Sequence, residues 1–277
     1  PSAPIECRNP SGPPRSANPL MLDIFRYRDL LFALVSRELK VRYRRSAVGF
    51  LWTMLQPLLM MLVLQVVFSS IFRFELDYGN YAVYVLAGLL FWNFFSQSIV
   101  ASMNSLRSNA VLLRKLPIPR EVFPIATVIS GIINLCLALV PLLAILLVTG
   151  HPMTPALLFL PVSILLAGLF TLGAGLLLSP LSVFFSDVVE MVGVVLSILM
   201  YLTPVIYPMK IVESTPYLPL VRYNPVRSIL EVFRDPIYQG EIPPLSHLTV
   251  CFGIALTAFI IGAIAFRKSS DRIPFYI

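Results

Sequence analysis

The sequence predicts an all-α integral membrane protein with six transmembrane helices, and three observations support this. Of 277 residues, 57% are hydrophobic and 13% charged, whereas a soluble domain carries about 25% charged residues. An uncharged run of 25 residues, 47–71, follows a basic cluster and is long enough to cross a hydrocarbon core of roughly 30 Å as a helix. Sixteen of the 21 basic residues fall in 1–47, 107–122 and 267–277. Such clustering is typical of membrane topology and argues against nucleic acid as a partner.

Six apolar stretches are the predicted spans, at about 47–71, 81–103, 122–148, 156–178, 188–206 and 245–266. Basic residues are retained on the cytoplasmic side, and an even number of crossings returns the chain to its starting side. We therefore expect a multi-pass protein of the cytoplasmic (inner) membrane with both termini in the cytoplasm. The turn at Asp187 and Glu190 departs from this pattern, because it lacks Lys and Arg.

The segments before the spans form two predicted regions. Residues 1–19 are rich in Pro, Ser and Asn and are expected to be a flexible tail, without the apolar core of a signal peptide. Residues 20–46 combine an amphipathic helix with the basic cluster, and such a helix should lie in the interface plane. It acts either as a passive anchor or as a platform on which a cytoplasmic partner pushes. Residues 47–266 form the transmembrane domain, and 267–277 a basic cytoplasmic tail.

The segment 107–121 is predicted to be a cytoplasmic docking element. Pro117 and Pro119 exclude a continuous helix. Residues 109–116 can still form a short helix with apolar and basic side chains, which is a suitable size for contact with a partner.

Polar and small residues inside the spans predict packing or a polar path. Gln56 and Gln65 are costly against lipid, so they should face protein or water. Asn93 and Gln97 suit either helix packing or a polar lining. Small residues recur every four positions in the fourth span and permit another helix to approach closely. This repeat favours packing inside one subunit over a dimer interface. Its members are Ser163, Ala167, Thr171, Gly175 and Ser179.

The external region 207–244 contains a short predicted helix. Asn224 is suited to cap it and Pro225 to occupy its first position, and we expect the helix to break at Asp235 and Pro236. It is too short to span, so it is either interfacial or re-entrant. A re-entrant element would mark an external gate, with candidate residues Asn224, Pro225, Arg227 and Arg234.

Aromatic and basic side chains supply two further sets of candidates. Aromatic rings stack on the CH faces of sugars, and the candidate channel-lining residues on the first and fifth spans are Phe50, Trp52, Phe68, Phe72, Tyr201 and Tyr207. The ordinary abundance of aromatics in membrane helices explains them equally. Arg42, Arg44 and Arg45 can bind the phosphate of a lipid carrier, although anionic lipid headgroups would satisfy them as well.

The sequence carries no recognisable motif for nucleotide binding, catalysis or ion coupling. It lacks the G-x-x-x-x-G-K-[ST] phosphate loop, G-x-S-x-G and H-E-x-x-H. Ionisable residues lie only near the span ends, unlike those of ion-coupled transporters. Three Cys and two His are scattered, so neither a metal nor another cofactor is expected on this chain. Energy for transport should come from another polypeptide.

Four strings resemble the membrane subunit of type-2 ABC exporters of the polysaccharide and polyol-phosphate class, which includes permeases for O-antigen, capsule and teichoic acid. They are RELKVRYRRSAVGFLWTMLQPLLMM, RKLPIPRE, FFSDVVEMVGVVLSILMYLTPVIYP and YNPVRSILEVFRDPIY. The resemblance covers most of the chain from about residue 20. Ser186 departs from it, because a basic residue is expected before the aspartate.

The resemblance implies a homodimer that pairs with two copies of a cytoplasmic ATPase subunit, on which ATP and Mg would bind. The interface helix would lie beside that ATPase. Spans 1 and 5 would line a channel for lipid-linked polysaccharide, and 207–238 would form the gate. The implied coupling residues are Arg37, Lys40, Arg107, Arg114, Lys115, Pro117, Pro119 and Arg120.

Two alternatives stay open at this point. In the first, the chain is a same-fold ABC exporter of teichoic acid, a drug or a small lipid. An integral membrane transferase acting on lipid-linked sugars would instead need a carboxylate near the interface, for which Glu121, Asp187 and Glu190 are the candidates.

Overall fold

The computed structural model describes residues 27–44, 49–67, 80–115, 118–148, 150, 152–213, 215–270 and 273. The side chains of 43–54, 65 and 148 are not part of that description. The described chain is helical, and we number its α-helices in order. They are α1 (Arg28–Arg44), α2 (Gly49–Gln65), α3 (Tyr81–Ser108), α4 (Ala110–Lys115), α5 (Val122–Val148), α6 (Leu160–Phe184), α7 (Val188–Leu202), α8 (Lys210–Glu213), α9 (Leu218–Arg222), α10 (Pro225–Tyr238) and α11 (Leu245–Ser270), with a 3₁₀ turn at Pro155–Phe159.

Four helices among the described residues are long and apolar enough to cross a membrane. They are Tyr81–Ser108, Val122–Leu147, Pro155–Phe184 and Leu245–Ser270, and they coincide with the second, third, fourth and sixth predicted spans. Two shorter apolar helices, Leu55–Leu64 and Val188–Leu202, fall within the first and fifth. The structure is that of a multi-pass α-helical membrane protein.

The helix ends differ from the predicted span ends for two reasons. α3, α6 and α11 continue beyond 103, 178 and 266, because loss of hydropathy marks the edge of lipid and not the end of backbone hydrogen bonding. α7 instead stops at Leu202, short of 206. Thr203 is extended, with φ −108° and ψ 131°, as the residue before a proline prefers.

α3 is the central helix of the bundle, and its neighbours are α2, α5, α6, α7 and α10. Asn80 caps its start by accepting a hydrogen bond from the backbone N–H of Ala82 at 2.9 Å. Phe91 and Met103 are completely buried along its length. The main apolar core therefore forms around α3.

A second apolar cluster lies where the basic residues collect, and we call this the basic end of the bundle. Leu34 and Val35 of α1 are buried there together with Phe123 of α5, Val183 of α6 and Phe266 of α11. α1 packs mainly on α5. The first helix is thus held against the bundle by its apolar face.

The small residues of α6 pack inside the chain, as predicted. All five members of the four-residue repeat are buried. α6 also crosses α11 where two glycines meet, because a Cβ on Gly262 would collide with the carbonyl oxygen of Gly173. This crossing is the closest kind of backbone approach that small residues permit.

The start of α10 is as predicted, but its predicted end at Asp235–Pro236 is wrong. Asn224 accepts a hydrogen bond from the backbone N–H of Val226 at 3.0 Å, and the helix then continues through Pro236 to Tyr238. Proline lacks the N–H that would bond to the carbonyl of Val232. The hydroxyl of Ser163 on α6 donates to that carbonyl instead, at 2.8 Å, and so the helix passes the proline with its backbone satisfied.

Candidate functional site

The basic end presents exposed charges on three elements. Lys40 lies on α1, Arg107 near the end of α3, and Arg114 and Lys115 on α4, all with exposed side chains. α4 is the predicted short helix, and it forms at Ala110–Lys115. Its Leu112 and Leu113 pack against the second cluster, which leaves Arg114 and Lys115 directed outward.

Arg37 joins α1 to the corner between α3 and α4. Its guanidinium donates to the side-chain oxygen of Asn109 at 2.5 Å. Asn109 is 4% exposed and donates in turn to the carbonyl of Ser105 at 2.8 Å. A displacement of α1 or α4 would therefore be passed to the other through one hydrogen-bonded pair.

Arg120 is directed to the end of α11. It donates to the carbonyl oxygen of Ser270 and, at 3.0 Å, to the hydroxyl of the same residue. The last carbonyls of a helix have no partner within the helix and carry partial negative charge, so an arginine stabilises them. Pro119 is partly exposed beside it, while Pro117 lies outside the described residues.

A cavity of about 630 Å³ with both polar and apolar lining lies between α1, α2, α3 and α5, and we call it the amide cavity. Four amide side chains line it: Gln56 of α2, Asn93 and Gln97 of α3, and Asn134 of α5. The polar lining of α3 continues through Asn104 and Ser108 to the basic end. Of the two predicted roles for Asn93 and Gln97, the structure shows the polar lining.

Charged residues of the amide cavity come from α1. Arg37, Glu38 and Arg42 line the side of the cavity that α1 forms. Burial raises the pKa of Glu38, while a hydrogen bond with Ser130 and the charges of Arg37 and Arg42 lower it. Arg42 is thus placed beside a polar opening; the side chain of Arg44 is not described, and Arg45 lies outside the described residues.

At the opposite end, a buried network holds the irregular segment 203–208 that follows α7. Arg234 of α10 is 5% exposed, donates to the carbonyl of Pro204 at 2.7 Å, and lies 4.0 Å over the ring of Tyr84. Tyr84 donates to the carbonyl of Tyr207 at 2.9 Å, and Tyr81 to that of Ile206 at 2.8 Å. Backbone carbonyls that lack helical partners are satisfied in this way by side chains from α3 and α10.

The other predicted gate residues surround this network. Asn224 donates to the hydroxyl of Thr203 at 2.9 Å, which fixes the start of α10 against the end of α7. Pro225 is exposed at the first turn of α10. Arg227 forms an ion pair with Glu231 at 2.6 Å.

The predicted channel-lining residues are only partly described. Tyr201 of α7 is 71% exposed, and Tyr207 is partly buried and donates to the carbonyl of Tyr201 at 2.7 Å. Side chains of Phe50 and Trp52 are not described, and Phe68 and Phe72 lie outside the described residues. The structure therefore brings together only the two tyrosines of this set.

Sequence reasoning gave no role to the side chains of Tyr81, Tyr84 and Asn109, and it named Ser163 only as a member of the small-residue repeat. The sequence held a signal for Tyr81 and Tyr84, because two tyrosines spaced by three residues share one helix face. The Thr-Pro-Val-Ile-Tyr-Pro segment needs hydrogen-bond donors for its backbone carbonyls, and tyrosine hydroxyls can supply them. The partners of Asn109 and Ser163 are set by tertiary packing and left no local signal.

These features define a multi-pass α-helical membrane protein with charge collected at one end and the amide cavity inside. A family model described as the ABC-2 type transporter matches residues 29–238. The chain belongs to this family, and it is a membrane permease subunit rather than an enzyme. The transferase alternative is set aside on this ground.

The chain is similar to permeases over nearly its whole length. The O-antigen export system permease protein RfbA of Myxococcus xanthus is 31% identical over 254 residues, which cover 91% of this chain and 97% of that protein. RfbA of Klebsiella pneumoniae is 28% identical over 88% of this chain and 93% of its own length. The polysialic acid transport protein KpsM of Escherichia coli is 21% identical over 86% and 93%.

Proposed function

We propose that this chain forms the transmembrane pathway of an ATP-driven exporter that moves lipid-linked polysaccharide, such as an O-antigen-like glycan, across the cytoplasmic membrane. The observation that carries the proposal is the similarity, over 86–91% of this chain, to two permeases named for O-antigen export and to a protein named for polysialic acid transport. The amide cavity and the exposed tyrosine of α7 supply polar and aromatic surfaces of the kind that sugars bind.

The exporter would have six spans and both termini in the cytoplasm. α2 and α7 would complete the set begun by the four long helices. Basic residues collect where α1, α4 and the end of α11 meet, which supports a cytoplasmic location for this end. The opposite end carries mixed charges, such as the Arg227–Glu231 pair.

Two copies of the chain would pair with two ATPase subunits that bind ATP and Mg. Membership in the ABC-2 family implies such an ATPase partner. The coupling surface would consist of α1 and α4, because both present exposed basic residues and the Arg37–Asn109 hydrogen bond links them. Arg120 would contribute by positioning the segment against α11 and not by direct contact.

The channel would lie along α2 and α7 at the dimer axis. Among the described helices α7 packs mainly on α3 and α6, and much of its surface, including Tyr201, is exposed. The segment 203–208 with α10 would form the external gate. Arg234 would hold it closed, because it binds the carbonyl of Pro204 from a buried position.

The test compares ATP hydrolysis of the chain co-purified with its ATPase subunit, as wild type and as Arg114→Glu/Lys115→Glu. Reversing two exposed charges on α4 is expected to abolish co-purification or to uncouple hydrolysis from glycan export. Lys268→Glu is the matched control, since it reverses an exposed charge in the last turn of α11. The proposal fails if no ATPase accompanies the wild type, or if the double reversal behaves like the control.

A further inference from the structure

Three of the four amides that line the amide cavity lack hydrogen-bond partners within the described part of the chain. The side chains of Gln56, Asn93 and Gln97 line the cavity and make no hydrogen bond there. Gln56 and Gln97 are exposed and Asn93 is partly buried, and polar groups that face lipid are costly. The cavity must therefore hold water or a hydrogen-bonding ligand.

The distribution of charge restricts the ligand. Arg37, Glu38 and Arg42 are the only charged side chains among the described residues of the lining, and all three belong to α1. The walls contributed by α2, α3 and α5 are neutral. A charged group would thus be held beside α1, while the rest of the ligand should be neutral and rich in donors and acceptors.

The remaining lining is apolar and lies beside the amides. Leu90 and Phe94 of α3 and Leu135 and Ala138 of α5 contribute it. A sugar ring presents the same combination, with CH groups on its faces and hydroxyl or acetamido groups around its edge. The volume of about 630 Å³ falls within the range of small-molecule sites, roughly 300–1,000 Å³.

We infer that the amide cavity binds the first uncharged sugar residues of a lipid-linked glycan, with the lipid phosphate beside Arg42. Each subunit would then hold sugar inside its own helices, separately from the channel at the dimer axis. Asn93 and Gln97 would bind hydroxyl or acetamido groups, and Phe94 would contact a ring face. This inference rests on the proposed function, because it names a second place where the same cargo is recognised.

The experiment measures protection of a cysteine in the cavity. In the full complex, with the native Cys7, Cys136 and Cys251 replaced by serine, Gln97→Cys is treated with a water-soluble maleimide. Labelling is compared without lipid, with polyprenyl diphosphate N-acetylglucosamine, and with polyprenyl diphosphate that carries no sugar. The matched control is Lys268→Cys, at an exposed position in the last turn of α11 and outside the cavity lining.

We expect Gln97→Cys to react with the maleimide, and the glycolipid to slow the reaction at least fivefold while the sugar-free lipid does not. Lys268→Cys should react with the maleimide and should not be protected by either lipid. Equal protection by both lipids at Gln97→Cys would mean that only the phosphate is bound. That result, no protection, or no labelling at all would each overturn the inference.

A second measurement separates this inference from the proposed function. Gln97→Leu removes the amide with little change in volume and should reduce the glycan export rate about fivefold, the effect of one lost hydrogen bond, whereas Gln97→Asn should retain most of it. Normal export by Gln97→Leu overturns the inference and leaves the proposed function intact. Absence of glycan export by the wild-type complex refutes the proposed function itself.

Discussion

Substitution of Ser163 by alanine should destabilise the protein because it leaves one carbonyl without a donor. The carbonyl of Val232 cannot bond to Pro236, which has no N–H, and it accepts from Ser163 at 2.8 Å. Ser163 is 1% exposed and Val232 is completely buried, so water cannot take over. We expect Ser163→Ala to lower the free energy of unfolding by about 1–3 kcal/mol.

Replacement of Pro236 by alanine should remove most of this effect. An alanine N–H at that position can donate to Val232, so Ser163→Ala in the Pro236→Ala background should cost at most about 0.5 kcal/mol. The two substitutions would then couple by roughly 1–2 kcal/mol, within the range for residues that share a partner.

The assay is a double-mutant cycle, with unfolding free energies measured by denaturing-detergent titration in mixed micelles. Ser197→Ala is the matched control. Its hydroxyl donates to the carbonyl of Gly193 at 2.9 Å within an uninterrupted part of α7, so that carbonyl keeps its helical N–H donor. Equal costs for Ser163→Ala in both backgrounds, or a cost no larger than that of the control, would refute the reasoning.

Three further predictions concern packing, the gate and pH. Gly262→Ala should separate α6 from α11 and lower the yield of folded protein. Gly253→Ala on the same helix should be neutral, because a Cβ there meets nothing within 4 Å. Similar yields of the two variants would contradict the close crossing of α6 and α11. Arg234→Lys keeps the charge but loses the planar contact with Tyr84, so amide exchange in the segment 203–208, measured by mass spectrometry, should accelerate about tenfold. Unchanged exchange would argue against Arg234 as the residue that holds the external gate closed. Burial raises the pKa of Asp235 to about 7, although the charge of Arg234 acts in the opposite direction. Between about pH 4 and pH 7 the carboxyl therefore keeps its proton in the folded protein and loses it in the unfolded protein. The free energy of unfolding should fall as the pH rises through this range. Asp235→Asn should remove that part of the slope in titrations at several pH values, and an identical slope would exclude this carboxyl as the source.

Local patterns were sufficient to predict much of the helical framework. The cap at Asn224 and the short helix before Pro117 follow from residue chemistry within a few positions. The burial of the small residues of α6 follows from their four-residue spacing. Features of this kind depend on neighbours in the chain, which the sequence displays directly.

Features that depend on distant partners could not be predicted in this way. The helix passes Pro236 because of a hydroxyl 69 residues away in the chain, and Arg120 binds the end of a helix 150 residues later. The amide cavity likewise requires side chains from four helices to converge. The sequence marked Gln56 as costly in lipid and left Gln97 open between helix packing and a polar lining, and only the packing of the helices shows that both face one space.

The shortness of α7 has a consequence for the proposed channel. Its 15 residues rise roughly 22 Å, against a hydrocarbon thickness of roughly 30 Å. A wall built on α7 therefore covers only part of the membrane depth, and the irregular segment 203–208 that follows it would have to line the rest. The carbonyls that Arg234, Tyr84 and Tyr81 bind in that segment would then be withheld from the cargo at the outer end of its path.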